Sequence, residues 1–211
     1  MKKKKLSLVL SLTFIIIFAV FTLIISSGFL TSVDFQLTVY LQKIIPYWLD
    51  TFLSAFSILG SFEILTSVLV FSLLLRRKLN GLIVFCLYSI GMFIEVLGKI
   101  LIFHPGPPRQ FFRYDLSFLF PSSFVHTKFS YPSGHAMRSS FLIVFLIFLV
   151  LNSKKNKLKK KLLIFCLLVL LVIMLISRVS LGEHWTSDVL AGMLLGAGLG
   201  FLSTFFQKPG L

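Results

Sequence analysis

Residues 2–26 read KKKKLSLVLSLTFIIIFAVFTLIIS, four lysines followed by an apolar run from Leu6 to Ser26. The run is longer than the roughly 7–15 apolar residues of a signal peptide, and no small-x-small cleavage site follows it. It matches the roughly 20 residues that a helix needs to cross the hydrocarbon core of a bilayer. Residues 6–26 are therefore predicted to form a first membrane-spanning helix.

Apolar runs of similar length recur along the chain, at residues 52–75, 81–103, 136–152, 162–181 and 186–206. The 211 residues are 57% hydrophobic and 13% charged, whereas a soluble domain has roughly 25% charged residues. This composition excludes a disordered basic tail and argues against a soluble nucleic-acid binder. The chain is predicted to be all-α, a single domain over residues 1–211 built as a bundle of six transmembrane helices.

The net charge of +14 is distributed unevenly along the chain. Of the 21 basic residues, 14 fall on one side of a six-span topology, together with both termini, and the acidic residues avoid that side. These basic residues lie in segments 2–5, 76–78 and 154–161 and at Lys208. By the positive-inside rule that side is predicted to be cytoplasmic, in the plasma membrane. The lysines of segment 154–161 are interpreted as a topology signal, with no nucleic-acid partner.

Two further patterns concern packing. Residues 34–50 carry apolar side chains at a spacing that predicts a short helix lying in the membrane interface, namely Leu37, Leu41, Ile44, Ile45 and Trp48. Gly192, Gly196 and Gly200 recur every four residues on the sixth span, which predicts a smooth face for close contact with another helix.

The other charged groups cluster where spans meet the outer face. Lys99 lies near the end of the third span and precedes the loop HPGPPR, residues 104–109. The motif YPSGH, residues 131–135, begins the fourth span, and a third cluster over residues 177–188 joins the last two spans. Ionisable groups near membrane depth are costly and indicate function. The active site is therefore predicted at the extracytoplasmic ends of the helices.

His184 and Asp188 are four residues apart, which places both on one face of a helix. A carboxylate that accepts a hydrogen bond from one imidazole nitrogen fixes the tautomer of the ring. The other nitrogen then has a lone pair free to act as a nucleophile.

The neighbouring motifs supply the other parts of a phosphoryl-transfer site. The Ser133 hydroxyl and the Gly134 amide, at a helix N-terminus, are suited to bind an oxyanion. The planar fork of Arg178 matches phosphate oxygens, and His135 is placed to protonate a leaving oxygen. With His184, these residues predict phosphoryl transfer through a phosphohistidine.

The combined motifs resemble the type 2 phosphatidic acid phosphatase superfamily, the integral-membrane lipid phosphatases related to vanadium haloperoxidases. The family pattern is K-x6-R-P, P-S-G-H and S-R-x5-H-x3-D, and the second and third motifs match fully at residues 132–135 and 177–188. The resemblance implies that His184 is the nucleophile, Asp188 its partner and His135 the acid. It implies no metal and no cofactor. The phosphate ligands that it implies are Lys99, Ser133, Gly134 and Arg178.

The first motif departs from the family pattern, because Gly106 stands where the family has arginine. Arg109, three residues later on a proline-rich loop, is the favoured replacement. Arg138 is the other candidate, since it shares a helix face with His135 at i,i+3.

Four residues are given structural interpretations. Glu95 lies one turn before Lys99 and is predicted to pair with it. Glu63, within the second span, is interpreted as a helix contact. Cys86 and Cys166 lie in apolar runs and are predicted to be small core residues, with no disulfide or zinc site.

The predicted function is hydrolysis of a lipid phosphate or pyrophosphate at the outer face, with undecaprenyl pyrophosphate as the favoured substrate. The alternatives are phosphatidylglycerophosphate, phosphatidic acid or lipid A phosphates, transfer of the phosphoryl group to another lipid, and a non-enzymatic lipid transporter or scaffold. The intact His135, His184 and Asp188 disfavour the last of these. The partners are predicted to be the bilayer and the lipid substrate, and the oligomeric state is left open. The choice of substrate rests on family analogy, because a fold does not determine a substrate.

Overall fold

The structure, a computed structural model, describes residues 2–76, 80–124 and 128–207, and these ranges contain helices and no strand. The α-helices are α1 (Lys2–Ser26), α2 (Thr31–Ile44), α3 (Asp50–Ile58), α4 (Phe62–Arg76), α5 (Asn80–Leu101), α6 (Gly134–Asn152), α7 (Lys157–Ser180) and α8 (Thr186–Phe205). Short 3-10 turns lie at Tyr47–Leu49, Arg109–Phe111 and Pro121–Phe124. The predicted all-α architecture is confirmed.

Five helices of the described chain, α1 and α5 to α8, are long and apolar enough to cross a membrane. The segments Tyr47–Ile58 and Phe62–Leu75 meet the same criterion as a pair, which makes a sixth span when counted together. This pair is bent by 46°, so the span predicted over residues 52–75 consists of two helices with a break between them. The protein is a multi-pass membrane protein.

The break between α3 and α4 lies at Gly60. A Cβ atom there would lie 2.7 Å from Cδ2 of His135 and 2.7 Å from Sδ of Met174. After the break, the Ser61 hydroxyl accepts the amide of Ile64 at 3.4 Å and helps to restart the helix. Glycine at the break allows the backbone to contact the His135 ring.

Hydrogen bonds show which helix ends lie together. Asn80 Nδ2 donates to the carbonyl oxygen of Phe206 at 2.7 Å, and Thr204 Oγ1 donates to Ser7 Oγ at 3.0 Å. The start of α1, the start of α5 and the end of α8 are thus at one end of the bundle. The lysine-rich segment 154–161 joins α6 to α7 at this same end, because the chain has crossed the bundle twice since the start of α5.

The small residues of α8 pack directly on the backbone of α6. A Cβ atom on Gly192 would lie 2.3 Å from the carbonyl oxygen of Ser133, and one on Gly196 would lie 2.1 Å from that of Met137. The predicted smooth glycine face is therefore confirmed. It brings the first turn of α6 close to the first turns of α8.

Cys86 and Cys166 are exposed on α5 and α7, so the prediction that they pack in the core is wrong. Large apolar side chains on the same helices are exposed as well, including Phe93 and Phe165. Lipid is as apolar as a protein core, so an apolar run on a membrane helix does not indicate which face is buried.

Replacing Gly196 by alanine is expected to lower the free energy of unfolding by about 1–3 kcal/mol, because the added methyl group overpacks the contact with Met137. The thermal unfolding midpoint of the detergent-purified protein measures this change. Gly81→Ala is the matched control, since its Cβ atom would meet Leu73 only at 3.6 Å. Equal midpoints for the two variants would contradict the close α6–α8 contact.

Candidate active site

Glu95 joins two cations near the C-terminal end of α5. Its Oε1 accepts a hydrogen bond from Lys99 Nζ at 2.8 Å, and its Oε2 accepts one from Arg138 Nη1 at 2.8 Å. The predicted Glu95–Lys99 pair is therefore present. A Cβ atom on Gly134 would lie 2.0 Å from Glu95 Oε1, so only glycine fits at the start of α6. Glu95 thus holds Lys99 and Arg138 beside the N-terminus of α6.

Asp188 is fully buried in the first turn of α8, and both of its carboxylate oxygens have partners. Its Oδ2 lies 3.4 Å from Nδ1 of His184 and accepts the amide of Trp185 at 3.1 Å. Its Oδ1 accepts a hydrogen bond from Nδ1 of His104 at 2.8 Å. The structure therefore brings His184 and Asp188 together as predicted, and adds His104, to which the sequence analysis assigned no role.

His104 lies in the loop after α5, between Asp188 and Asp34 of α2. Its Nε2 lies 3.5 Å from Oδ2 of Asp34. Burial by itself would lower the pKa of His104, but the hydrogen bonds and charges of Asp188 and Asp34 outweigh it and raise that pKa to about 9. The only sequence signal was its position next to the first motif. Nothing local connects it to a carboxylate 84 residues away.

His184 lies in the loop that precedes α8. Burial is the main cause that lowers its pKa, and the positive charges of Arg178 and Lys99 act in the same direction. The hydrogen bond and charge of Asp188 oppose this shift without cancelling it. His184 is therefore neutral at pH 7, the form in which an imidazole is a nucleophile.

The start of α6 presents its polar groups as the motif predicts. Ser133 is the N-cap residue of α6, and its amide donates to the carbonyl oxygen of Asp188 at 3.0 Å. Its hydroxyl is buried without a hydrogen-bond partner among the described residues. His135 follows in the first turn, where the charges of Arg178 and Arg138 act on its ring. The N-terminus of α6 therefore presents hydrogen-bond donors that can bind an anion.

Arg178 ends α7 with 3% of its surface exposed. Its guanidinium contacts the hydroxyl of Ser57 and the carboxylate of Glu183. The Nε of Arg178 is buried without a partner within the described part of the chain. Sequence reasoning missed Ser57, which is distant from Arg178 in the chain. It also missed Glu183, which lies inside the third motif and could have been identified there.

A cavity of about 160 Å³ opens beside Arg178 and His135. Its polar wall also includes Ser57, Ser61 and Glu183. The rest of its wall is mainly apolar or aromatic, formed by Ile58, Phe112, Tyr114, Leu119 and Phe120. The cavity combines a cation and an imidazole with an apolar wall.

The two candidates for the missing arginine lie in different surroundings. The Arg109 side chain is exposed in a 3-10 turn and makes no hydrogen bond or ion pair with another described residue. Arg138 is buried against Glu95, and its Nε has no partner among the described residues. The contacts therefore support Arg138 for the role that the sequence analysis gave first to Arg109.

Polar contacts hold the loop after α5 onto the bundle. Glu63 Oε1 accepts the amide of Ser122 at 2.9 Å, and Oε2 accepts its hydroxyl at 2.8 Å. Arg113 donates to Asp50 through Nε at 2.8 Å and Nη2 at 2.7 Å, a bidentate pair. Glu63 is therefore structural as predicted, although its partner is the loop and not another helix.

Among the described residues, no group of three or more His, Cys, Asp or Glu side chains is arranged to bind a metal ion.

The profile of the PAP2 superfamily matches residues 17–209. The chain belongs to the PAP2 superfamily, and the resemblance seen in its motifs is confirmed. Together with its membrane-spanning helices, this makes the protein an integral-membrane member of that superfamily.

Two solved structures share the fold. The crystal structure of the first transmembrane PAP2 type phosphatidylglycerolphosphate phosphatase from Bacillus subtilis superposes with a TM-score of 0.73 at 24% identity, covering 92% of this chain and 94% of that one. The crystal structure of Aquifex aeolicus LpxE gives a TM-score of 0.59 at 25% identity, covering 81% of this chain and 93% of that one.

An undecaprenyl-diphosphatase of Sulfolobus acidocaldarius is 33% identical over 107 residues, which are 46% of this chain and 48% of that protein. The match thus spans about half the length of this curated relative.

Gly134→Ala is expected to lower kcat/KM for a lipid phosphate by about 100-fold, because its Cβ atom displaces Glu95 and with it Lys99 and Arg138. Phosphate release by the purified variant measures this loss. Gly106→Ala is the control, since its Cβ atom would meet Ser130 at an ordinary 3.4 Å. Wild-type activity in Gly134→Ala would show that the Glu95 contact does not support the site.

Proposed function

We propose that the protein hydrolyses a lipid pyrophosphate, undecaprenyl pyrophosphate, at the extracytoplasmic face of the plasma membrane through a phosphohistidine on His184. The observation that carries the proposal is a set of buried donors without partners among the described residues: Ser133 Oγ, Arg138 Nε and Arg178 Nε. Buried polar groups are normally hydrogen-bonded in proteins. Donors of this kind, beside a neutral His184 and close to the acid His135, suit a bound phosphate.

His184 Nε2 attacks phosphorus while its Nδ1–H points toward Asp188. The bond from phosphorus to the leaving oxygen breaks, and that oxygen takes a proton from His135. In the second half of the reaction His135 removes a proton from water, and the hydroxide attacks the phosphohistidine. Inorganic phosphate leaves and both histidines regain their starting protonation states.

The surrounding cations match the charge of the reacting group. Lys99, Arg138 and Arg178 contribute positive charge to the site, and the first two share the carboxylate of Glu95. In a buried site, fixed cations stabilise the charge on the transferring phosphoryl group more strongly than water does. They require no reorganisation when the reaction takes place.

A second, apolar cavity supports a lipid as the substrate. Its volume is about 190 Å³, and Gly98 and Pro132, which border it, directly precede Lys99 and Ser133 in the chain. The other lining residues are Phe18, Thr22, Ile94, Leu97, Leu101, Ile102 and Tyr131. A hydrocarbon chain can lie along this wall while its phosphate reaches the polar groups.

Two further observations support the side of the membrane and the substrate. The lysine-rich segments 2–5 and 154–161 lie at the bundle end opposite the motifs, which supports an extracytoplasmic site by the positive-inside rule. An outward site suits a lipid pyrophosphate released outside the membrane. The name of the Sulfolobus relative, undecaprenyl-diphosphatase, agrees with that substrate.

The detergent-purified protein is expected to release phosphate from undecaprenyl pyrophosphate faster than from phosphatidylglycerophosphate, phosphatidic acid or lipid A phosphates. Each substrate is presented alone, so that no second lipid can accept the phosphoryl group. His184→Ala should lower the rate by at least about 1,000-fold because it removes the nucleophile, and a metal chelator should leave the wild-type rate unchanged. A folded His184→Ala protein with wild-type activity would refute the proposal.

Arg138→Gln is expected to lower kcat/KM by about 100-fold, and Arg109→Gln by no more than about twofold, because only Arg138 lies beside Lys99 and Glu95. Arg138→Lys keeps the charge and should recover part of the loss. Thermal midpoints in detergent separate a catalytic loss from unfolding. A larger loss in Arg109→Gln than in Arg138→Gln would return the role to Arg109.

A further inference from the structure

His104 lies between two buried carboxylates that belong to different helices. Its Nδ1 is 2.8 Å from Asp188 Oδ1, and its Nε2 is 3.5 Å from Asp34 Oδ2. A neutral imidazole has a single N–H, so one ring lone pair would then face a carboxylate. The geometry therefore favours a doubly protonated ring with a proton directed at each carboxylate.

Asp34 has a second set of partners at the start of α8. Its Oδ1 accepts the amide of Ser187 at 2.8 Å, and its Oδ2 accepts the Ser187 hydroxyl at 2.6 Å. Asp34 and Asp188 thus both lie at the N-terminus of α8, where the helix dipole favours negative charge. The imidazolium of His104 lies between these two carboxylates and offsets their repulsion.

We propose that His104 is a positioning residue, whose imidazolium engages one oxygen of Asp188 and leaves the other directed at His184. The consequence for catalysis rests on the proposed function, while the charge arrangement does not. The hydrogen bond to Oδ1 stops the carboxylate from rotating, so Oδ2 stays within reach of His184 Nδ1. The positive charge also offsets the field of Asp188, which would otherwise favour a protonated and unreactive His184.

Charged and aromatic groups from several elements surround the rings of His104 and His184. The charges of Asp188, Arg178 and Lys99 act on His184. When His184 is protonated, its own charge acts on His135 and Glu95. Asp34 and Asp188 face His104, and the ring of Tyr131 lies edge-on to it at a centroid separation of 6.3 Å. Removing His104 therefore removes the one described cation that lies between Asp34 and Asp188.

The titration of the histidine rings can be measured without any turnover. The chain has four histidines, so ¹⁵N-histidine labelling of the full-length protein in detergent gives a simple ring-nitrogen spectrum. The His104 signals, identified by their loss in His104→Gln, are expected to show both nitrogens protonated from pH 6 to pH 8. His184 is identified in the same way with His184→Ala.

His104→Gln keeps a donor of similar length and loses the charge. The His184 titration midpoint is expected to rise by about one pH unit, because the charge of Asp188 is no longer offset. His104→Arg, which keeps a cation with N–H groups for both carboxylates, should return the midpoint to the wild-type value. A His104 ring that titrates near pH 6.5, or an unchanged His184 midpoint in a folded His104→Gln protein, would overturn the proposal.

Asp34→Asn provides a second test if His104→Gln does not fold. With one carboxylate removed, the titration midpoint of His104 should fall, and an unchanged midpoint would also overturn the proposal. In phosphate release, the acid limb of kcat/KM should lie about one pH unit higher for His104→Gln than for wild type. No release by the wild type would refute the proposed function and would leave the ring titrations as a separate result.

Discussion

The end of the bundle that carries the sequence motifs depends on the buried carboxylate of Asp188. Its oxygens receive His104 from the loop after α5, and His184 and Trp185 from the loop before α8. Its main-chain carbonyl receives the amide of Ser133 at the start of α6. A buried charge is tolerated only when its partners compensate for lost hydration. His184, the N-terminus of α6 and the loop after α5 are therefore positioned by one residue.

Near the start of α6, two cations share one carboxylate. Glu95 is the single carboxylate shared by Lys99 and Arg138, so that pair of cations retains net positive charge. Such an excess of positive charge is costly in a buried site unless an anionic substrate neutralises it. The close glycine contacts with α6 make this arrangement rigid, because the backbones cannot move apart without losing their packing.

Much of this site could be predicted from the sequence, because its motifs are local. The residues P-S-G-H and H-x3-D each fall within one turn or loop, so spacing alone places their side chains together. His104 could not be assigned in this way, since its partners Asp188 and Asp34 lie far away in the chain. The break at Gly60 also escaped prediction, because the His135 and Met174 side chains that lie against it come from other helices.

The sequence by itself determined the number of apolar segments, the uneven distribution of charge and the family motifs. These properties depend on composition and on short spacings between residues, which can be determined without knowledge of packing. Tertiary structure alone decided which arginine lies beside Lys99, which face of each span is buried, and how His104 joins two carboxylates. Those outcomes depend on contacts between helices, and in a membrane an apolar residue suits both lipid and protein interior.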